Sequence, residues 1–470
     1  MSTSEAQQPE VDPMTQDYTP ARVCHRLQAA CMAACLALLS ACGGGPDPSG
    51  PPKQASASPS GAGQRLRALA ALPGGGISHE DTWDAIAGWA HGAYPLLFPG
   101  NPTVQAFGDG RSYHYDSGNA IGFQGNQIYL SGPVVGTTTP TPFQSLSTFC
   151  AHTPRACGVT LRRTVTWQSR EREYLVYVPW SAREVTGPLA TVVLIHGSGG
   201  SGRVPLAQWG WKTVADREGL LLAAPSALLH CYVDDADGDG PEFPAEVEVA
   251  TKWASGPLGQ PGRPQCTAAQ MDELVTRGRM TAEERTLADH PVPDDVGGLR
   301  ELAHVLVSDW GADARRLYVS GFSNGGEMAF RLAAEASTTF AAVATAAGAV
   351  LPGEMAWPVT TRPLSMVYSI GSLNLRGQPV STSQDIMATN SDLSSRTAAF
   401  LAILGLSDAH RFQNLPVAGF DTGVYVYDTS TRPTPGGNTL YVGVMAGLEH
   451  EYPPTLPETL WAFFRTQTLP

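Results

Sequence analysis

Apolar residues recur along most of this chain in two spacings, one typical of strands and one typical of helices. Apolar runs predict buried strands at Thr191 to Ile195 and Arg316 to Val319, and helical spacing predicts helices at Leu206 to Glu218 and Ser391 to Leu404. Further predicted strands are Val159 to Trp167, Glu173 to Val178, Leu220 to Ala224, Phe340 to Ala346, Pro363 to Ile370 and Thr439 to Ala446, and further helices are Val296 to Trp310, Gly325 to Ala334 and Pro457 to Phe464. This alternation predicts an α/β fold, with a mostly parallel sheet and helices on both faces.

A different pattern precedes this region. Helical spacing places Trp83, Ile86 and Trp89 on one side of a helix, and short alternating runs follow, among them Gln127 to Leu130. We therefore expect a small α+β module over residues 77–157, followed by the α/β domain over residues 158–470. Residues 228–293 interrupt the alternation and are expected to form an insertion in that domain.

The first residues have the pattern of an export signal. Arg22 and Arg26 precede an apolar run from Leu27 to Leu39 that is too short to cross a bilayer, so residues 1–41 are predicted to be a signal peptide. The ending Leu-Ser-Ala-Cys resembles a bacterial lipobox, which implies cleavage before Cys42 and a lipid on its thiol. An ordinary secretory signal is the alternative. Residues 42–76 are rich in Gly, Pro and Ser and predict a flexible tether.

Composition and charge narrow the function classes. Hydrophobic residues make up 42% and charged residues 16% of the 470 residues, as in an ordinary globular protein. The net charge of -13 argues against nucleic acid as a partner and against electrostatic docking on anionic lipid, so we expect membrane contact through the lipid anchor alone. The oligomeric state stays open.

Cysteine usage agrees with export. Of the 8 cysteines, four remain after the signal and the lipidated residue are set aside. They form the pairs Cys150 with Cys157 and Cys231 with Cys266, which predict two disulfides in an exported protein. Free buried thiols are the alternative.

A serine stands between two glycines where one predicted strand stops. The stretch Gly321-Phe-Ser323-Asn-Gly325 has the pattern G-x-S-x-G, which is typical of a nucleophile elbow between a strand and a helix. With 50 glycines in the chain this pattern alone is weak, so it requires support from the other predicted strand ends.

A glycine-rich loop follows the predicted strand that ends at Ile195. Its backbone N–H groups, at Ser198 and Gly199, can point at a developing negative oxygen, and the N–H of Asn324 would be the second donor of such an oxyanion hole. A phosphate-binding loop is the competing interpretation, but the Lys-Ser/Thr ending of a P-loop is missing.

The stretch VMAGLEHEYPP follows the last predicted strand and supplies a base. Its histidine, His450, lies downstream of Ser323, which is the chain order that this kind of site requires. The other histidines lie in the signal, in the front module, in the glycine-rich loop or away from strand ends. A structural role for His450 is the alternative.

These segments together resemble the poly(3-hydroxybutyrate) depolymerase and feruloyl esterase group of α/β-hydrolases. The matching stretches, spread over residues 170–466, are HGSGG, GWKTVADREGLLLAAPSA, KWASG, DDVGGLRELA, RLYVSGFSNGGEMAFRLAAE and GLEHEYPP. The resemblance implies an α/β-hydrolase fold and an ester substrate, polymeric or aromatic, with no cofactor required for catalysis. It also implies that Ser323 attacks the carbonyl and that His450 relays the proton. For an esterase, Trp253 is a candidate wall of the acyl pocket, together with Trp209 and Trp211, and ordinary core packing of these residues is the alternative.

The chain departs from this group at the acid that orients the histidine. The group has a Gly-Thr-x-Asp turn where this chain has Gly-Ser-Leu-Asn, so Asn374 stands in the acid slot. An amide can hold an imidazole but cannot stabilise an imidazolium as an anion does. We expect Asp385 to be the substitute acid, with Asp392 as the alternative.

An acidic loop inside the predicted insertion fits the calcium-loop template D-x-D-x-D-G-x5-E. Its candidate ligands are Asp235, Asp237, Asp239 and Glu246. A solvated acidic loop is the alternative, because Pro241 and Pro244 would stiffen it. Calcium would stabilise the insertion without joining the reaction.

Three functions therefore remain open from the sequence. The first is a serine esterase, exported and held by a lipid anchor or secreted. The second is a surface lipoprotein that has lost activity and acts as a binding module, which the missing aspartate motivates. The third is a serine peptidase, which shares the acyl-transfer chemistry.

Overall fold

In the computed structural model the protein is described over residues 78–133, 135–183, 185, 187–234, 240–350, 358–377, 381–429 and 437–470. Several expectations fall outside these residues. They are the signal peptide at 1–41, the tether at 42–76, the lipidated Cys42, and three candidate calcium ligands, Asp235, Asp237 and Asp239. Among the described helices, none is long and apolar enough to cross a membrane.

The front of the described chain is a five-stranded antiparallel sheet with three helices. The elements are α1 (His79–Ala93), β1 (Thr103–Phe107), β2 (Gly110–His114), β3 (Ala120–Gln124), β4 (Gln127–Gly132), β5 (Thr137–Ser145), α2 (Leu146–His152) and α3 (Pro154–Cys157). Trp83, Phe123 and Phe149 belong to a buried cluster of this region alone. A disulfide between Cys150 and Cys157 joins α2 to α3.

The rest of the chain is built on one ten-stranded sheet, in the order β15-β16-β17-β14-β13-β12-β8-β9-β7-β6. Its strands are β6 (Val159–Trp167), β7 (Arg170–Val178), β8 (Leu189–Ile195), β9 (Leu221–Pro225), β12 (Ala312–Phe322), β13 (Ala342–Ala346), β14 (Ser365–Gly371), β15 (Arg411–Val417), β16 (Phe420–Tyr427) and β17 (Leu440–Met445). The six strands from β17 to β9 are parallel, and two antiparallel strands flank them on each side. The α/β architecture expected from the alternation is therefore present.

Helices cover both faces of this sheet. They are α4 (Arg203–Gln208), α5 (Trp211–Glu218), α8 (Asp295–Trp310), α9 (Asn324–Glu335), α10 (Ser391–Leu404) and α11 (Leu456–Phe464). Strand β8 shows the two faces, since Val193 and Ile195 pack into one core with α8, α9 and α10, while Val192 and Leu194 pack into another with α5 and α11. Because this strand is buried on both faces, Val192 to Ile195 are all apolar.

The insertion lies outside the large sheet. It contains β10 (Leu229–Val233), β11 (Val247–Thr251), α6 (Ala268–Thr276) and α7 (Ala282–Ala288), and β10 pairs with β11. Cys231 on β10 forms a disulfide with Cys266, as the cysteine pattern predicted, and both sulfurs are part of a small apolar core of their own.

Two differences from the predicted elements share a cause, apart from β16, in which six of the eight residues are buried. The hairpin of β15 and β16 was not predicted, and β12 begins at Ala312 rather than at Arg316. Strand β15 is largely exposed, and so is the polar start of β12. Neither segment therefore shows the apolar pattern by which a strand is recognised in a sequence. Both pair with a neighbouring strand through backbone hydrogen bonds, which do not require apolar side chains.

Candidate active site

Ser323 occupies a sharp turn between β12 and α9. Its backbone angles are φ 55° and ψ -125°, a strained region for a residue with a side chain. The backbone N–H of Ser323 donates to the carbonyl of Ala346 at 2.9 Å, which fixes the turn to the neighbouring strand. This is the strand-turn-helix arrangement of a nucleophile elbow.

The glycines around Ser323 are required by close backbone approach. A Cβ on Gly321 would lie 2.0 Å from the carbonyl oxygen of Gly325, and a Cβ on Gly325 would lie 2.0 Å from the carbonyl oxygen of Ile195. Neither backbone has room to move. The pattern G-x-S-x-G at this turn is therefore a packing requirement as well as a sequence match.

His450 meets Ser323 from the loop that follows β17. Its Nε2 lies 2.9 Å from Oγ of Ser323, within hydrogen-bonding distance. Two residues further, the buried hydroxyl of Tyr452 accepts a hydrogen bond from Nε1 of Trp211 at 2.9 Å and lies 3.0 Å from Oγ of Ser320. These bonds anchor the loop and so position the imidazole over the serine.

The electrostatic surroundings keep this imidazole neutral at ordinary pH. His450 is exposed at the surface, but partial desolvation of its ring lowers the pKa from the usual 6.5, and the positive charge of Arg396 lowers the pKa further. The carboxylate of Glu327 acts in the opposite direction. A neutral imidazole can accept the proton of Ser323, so the lowered pKa suits a general base.

Asn374 lies beside the loop of His450, in a single 3-10 turn at Ser372–Asn374 after β14. The N–H of Leu373 donates to the carbonyl of Leu448 at 3.1 Å, and the N–H of Gly447 donates to Oγ of Ser372 at 2.9 Å. The turn is thus held against the residues just before His450. Over the described ranges, however, no carboxylate or amide side chain hydrogen-bonds to the ring of His450.

The expected substitute acid is wrong. Oδ2 of Asp385 lies 2.7 Å from Nε2 of His410, a different histidine, and its Oδ1 accepts the N–H of Met387 at 3.0 Å. The alternative, Asp392, accepts Nε of Arg396 at 2.9 Å and the N–H of Arg376 at 2.7 Å. Both carboxylates are occupied elsewhere because the segment after β14 packs them against other partners.

The glycine-rich loop lies next to the serine, since a Cβ on Gly197 would be 3.1 Å from Cβ of Ser323. Ser198 follows it and is exposed. The N–H of Asn324 is at the first position of α9, where helix geometry leaves such groups unpaired. Gly199 is a correction, because its N–H donates to the carbonyl of Thr251 at 2.8 Å and is not available to an oxyanion.

His196 stabilises the glycine-rich loop through two hydrogen bonds. It is fully buried, its Nε2 accepts the N–H of Ala227 at 3.0 Å, and its Nδ1 donates to the carbonyl of Gly197 at 2.7 Å. Burial lowers the pKa of His196 to about 4, so the ring is neutral and its tautomer is set by these two bonds. His196 is therefore a structural residue of the loop.

Trp253 is also a correction. Only 1% of its surface is exposed, so it cannot line an open acyl pocket. Its Nε1 donates to the carbonyl of His196 at 2.9 Å, and its backbone N–H donates to Oδ1 of Asn324 at 2.7 Å. Trp253 thus ties the insertion to both the glycine-rich loop and the start of α9.

Three residues at the site were not found from the sequence. Lys252 donates from Nζ to Oγ of Ser198 at 3.1 Å, Glu327 accepts the hydroxyl of Ser255 at 2.7 Å, and Tyr452 anchors the histidine loop. Lys252 directly precedes Trp253, and Tyr452 lies two positions after His450; Trp253 and His450 were both identified from the sequence. No local pattern distinguishes any of the three from ordinary core or surface residues.

The described part of the acidic loop offers little to a metal ion. Oε2 of Glu246 accepts the N–H of Glu242 at 2.9 Å. Within the ranges that the structure describes, no group of three or more His, Cys, Asp or Glu residues is arranged to hold a metal ion. The other three candidate ligands lie outside those ranges, so the calcium expectation is untested.

Comparison with known proteins gives one curated relative. No family model matches the chain. A stretch of 218 residues is 28% identical to a putative esterase, NocK, from Nocardia uniformis subsp. tsuyamanensis, and covers 46% of this chain and 49% of that protein. The match thus spans about half the length of the relative.

The solved structures to which the chain is similar include three hydrolases. Acetyl xylan esterase from Aspergillus awamori has a TM-score of 0.41 at 13% identity over 66% of this chain and 99% of its own. An S-formylglutathione hydrolase from Agrobacterium tumefaciens has a TM-score of 0.38 at 15% identity over 67% and 96%. A ferulic acid esterase has a TM-score of 0.33 at 13% identity over 66% and 97%. At such scores the likeness carries no conclusion about this chain.

Proposed function

We propose that this protein is a serine esterase of the α/β-hydrolase type, with Ser323 as nucleophile and His450 as general base. The observation that carries the proposal is the 2.9 Å contact between Nε2 of His450 and Oγ of Ser323 at a strained turn. Such a turn holds a hydroxyl clear of the sheet. The partial sequence match to a putative esterase supports the same class.

In the proposed reaction His450 takes the proton of Ser323 while Oγ attacks the ester carbonyl. The negative charge that develops on the carbonyl oxygen is stabilised by the N–H groups of Asn324 and Ser198. Collapse of the tetrahedral intermediate expels the alcohol, which receives the proton from His450. A water molecule, activated by the same imidazole, then releases the acid and restores the serine.

The proposed substrate is a carboxylic ester, with polyhydroxyalkanoate-type polyesters and esters of aromatic acids as the two classes to compare. We further propose that the protein is exported and anchored through a lipid on Cys42. The disulfides Cys150–Cys157 and Cys231–Cys266 support export, because such bonds persist in oxidising compartments. Loss of palmitate labelling in Cys42→Ala tests the anchor.

Hydrolysis of short p-nitrophenyl esters by the wild type and by Ser323→Ala tests the enzyme proposal. We expect the wild type to turn over and Ser323→Ala to lose about 10⁴-fold or more in kcat. Ser308→Ala, an exposed serine on α8, is the matched control and should retain full activity.

Asn374 in the acid slot favours a second candidate, a binding lipoprotein without activity. Buffer-level rates in both the wild type and Ser323→Ala would select it. Hydrolysis of peptides in preference to esters, dependent on Ser323, would instead select a peptidase. A comparison of emulsified polyester, feruloyl ester and peptide substrates separates the classes.

A further inference from the structure

The insertion contacts the glycine-rich loop at three consecutive residues. The N–H of Gly199 donates to the carbonyl of Thr251 at 2.8 Å, and Oγ1 of Thr251 donates to the carbonyl of Gly200 at 2.6 Å. Nζ of Lys252 donates to Oγ of Ser198 at 3.1 Å. The end of β11 therefore determines the conformation of the loop and brings a cation to it.

Lys252 is an unusual residue for this place. It is 7% exposed, and its Nζ lies 5.1 Å from the centre of the Tyr232 ring. Burying an ammonium is costly unless it is hydrogen-bonded or paired. Burial, and next the charge of Arg263, lower the pKa of Lys252, while Glu327, Asp234 and Glu248 raise it.

The direction of the hydrogen bond between Lys252 and Ser198 follows from the groups themselves. An ammonium has three donors and no acceptor, so the hydroxyl oxygen of Ser198 accepts. The hydroxyl hydrogen of Ser198 then remains free to donate to another group. Because its oxygen already accepts from a positive charge, that hydrogen is a stronger donor than in an isolated serine.

Ser198 is placed where it could donate a hydrogen bond to the carbonyl oxygen of the reacting ester. The preceding residue, Gly197, packs on Ser323 so closely that a Cβ there would lie 3.1 Å from Cβ of the serine. Ser198 is exposed, although its partner Lys252 is buried. Ser198 is thus an exposed residue that adjoins the contact with Ser323, and its hydroxyl is hydrogen-bonded to a buried cation.

We propose that the Ser198 hydroxyl is an additional oxyanion donor and that Lys252 is a positioning residue, which acts on the reaction only through Ser198. The proposal rests on the esterase function proposed above. The hydroxyl compensates for the N–H of Gly199, which donates to Thr251. Its contribution appears in the transition state, where the negative charge develops, and not in the binding of the uncharged ester.

The test measures kcat and KM for a p-nitrophenyl ester with Ser198→Ala, Lys252→Met and the double variant. Loss of one oxyanion donor lowers kcat by about 10²-fold. We expect that loss in Ser198→Ala with KM within about twofold of the wild type, because ground-state binding does not use the hydroxyl. Lys252→Met should lower kcat less, by about tenfold, and the double variant should match Ser198→Ala.

A trifluoromethyl ketone supplies a readout that a purely structural role would not move. Its addition to Ser323 forms an oxyanion, so its inhibition constant should rise in each variant by the same factor by which kcat/KM falls. Ser198→Thr, which keeps a hydroxyl, should restore most of both quantities. Thermal unfolding of each variant shows whether the fold is retained.

Lys212→Met is the matched control for the lysine. Nζ of Lys212 also lies over a tyrosine ring, 4.7 Å from the centre of Tyr177, and donates to a hydroxyl, Oγ1 of Thr160, at 3.4 Å. It lines a cavity together with residues of the front module, among them Asp84 and Trp89, and none of the candidate catalytic residues lines that cavity. Its substitution should leave kcat and the inhibition constant unchanged.

Three results would overturn the proposal. Ser198→Ala with a wild-type kcat, or with its loss confined to KM, would remove the hydroxyl from the oxyanion hole. A multiplied loss in the double variant would show that Lys252 acts independently of Ser198. Each result requires that Ser323→Ala abolishes hydrolysis; if it does not, the esterase proposal fails together with this one.

Discussion

Nε2 of His450 lies 2.9 Å from Oγ of Ser323, although 127 positions separate the two residues in the chain. No carboxylate in the described ranges hydrogen-bonds to the same ring. The imidazole is instead positioned by its loop, which the buried hydroxyl of Tyr452 ties to Trp211 and Ser320. The candidate nucleophile therefore has a candidate base in place, and within the described ranges no carboxylate is bonded to that base.

Asn374→Asp should increase kcat by about tenfold or more, since an anion beside the imidazole stabilises its protonated form in the transition state. The turn of Asn374 is held by the bond between Leu373 and Leu448, so the new carboxylate would lie close to His450. The anion should also raise the pKa of His450 and move the acid limb of kcat/KM to higher pH. Steady-state kinetics across pH measure both effects.

Asp385→Ala is the control for that experiment. The carboxylate of Asp385 contacts His410 and not His450, so kcat/KM should stay at the wild-type level. A large loss in Asp385→Ala, or an unchanged pH profile in Asn374→Asp, would show that the acid slot is elsewhere.

Arg396→Gln should move the acid limb of kcat/KM to higher pH. In the wild type the base is active only when neutral, and partial desolvation and the charge of Arg396 hold the pKa of His450 below 6.5, so the rate should persist to a pH below that value. Removal of the positive charge raises this pKa, so deprotonation then needs a higher pH. Arg411→Gln, at an exposed pair with Asp428, should leave the profile unchanged.

Gly325→Ala should lower activity by about 10²-fold or more and destabilise the fold. The added methyl would lie 2.0 Å from the carbonyl oxygen of Ile195 and 2.4 Å from that of His196, so the elbow or the glycine-rich loop must shift. A displacement of the reacting groups by ~1 Å costs about 10²-fold in rate. Gly262→Ala, where the methyl would meet open space, should change neither ester hydrolysis nor the unfolding temperature.

Asp295→Ala should lower the free energy of unfolding by about 3–5 kcal/mol, because it leaves a buried cation unpaired. Oδ1 of Asp295 accepts Nη2 of Arg172 at 2.5 Å, and the side chains of Arg172 and Asp295 are 7% and 0% exposed. Urea unfolding measures the change.

Asp428→Ala breaks the exposed pair with Arg411 and should cost less than about 1 kcal/mol. Equal losses in Asp295→Ala and Asp428→Ala would mean that burial of the Arg172 pair adds nothing.

The alternating fold and the serine elbow were visible in the sequence because both depend on short stretches of chain. A strand buried on both faces is apolar on both, as Val192 to Ile195 is. The turn at Ser323 requires Gly321 and Gly325, since no larger residue fits beside it. The disulfide partners could likewise be chosen from the four cysteines that follow the predicted signal and Cys42.

The partners of the site residues depended on tertiary structure. Asp385 pairs with His410, Gly199 donates to Thr251, and Lys252 reaches Ser198, each across a stretch of chain with no periodic relation to its partner. The spacing of apolar residues indicates which face of a helix or strand is buried, and closely spaced glycines indicate a tight turn. Hydrogen-bond partners depend on the packing of distant segments. The sequence by itself therefore identified the candidate nucleophile, and only the folded chain decided which groups surround it.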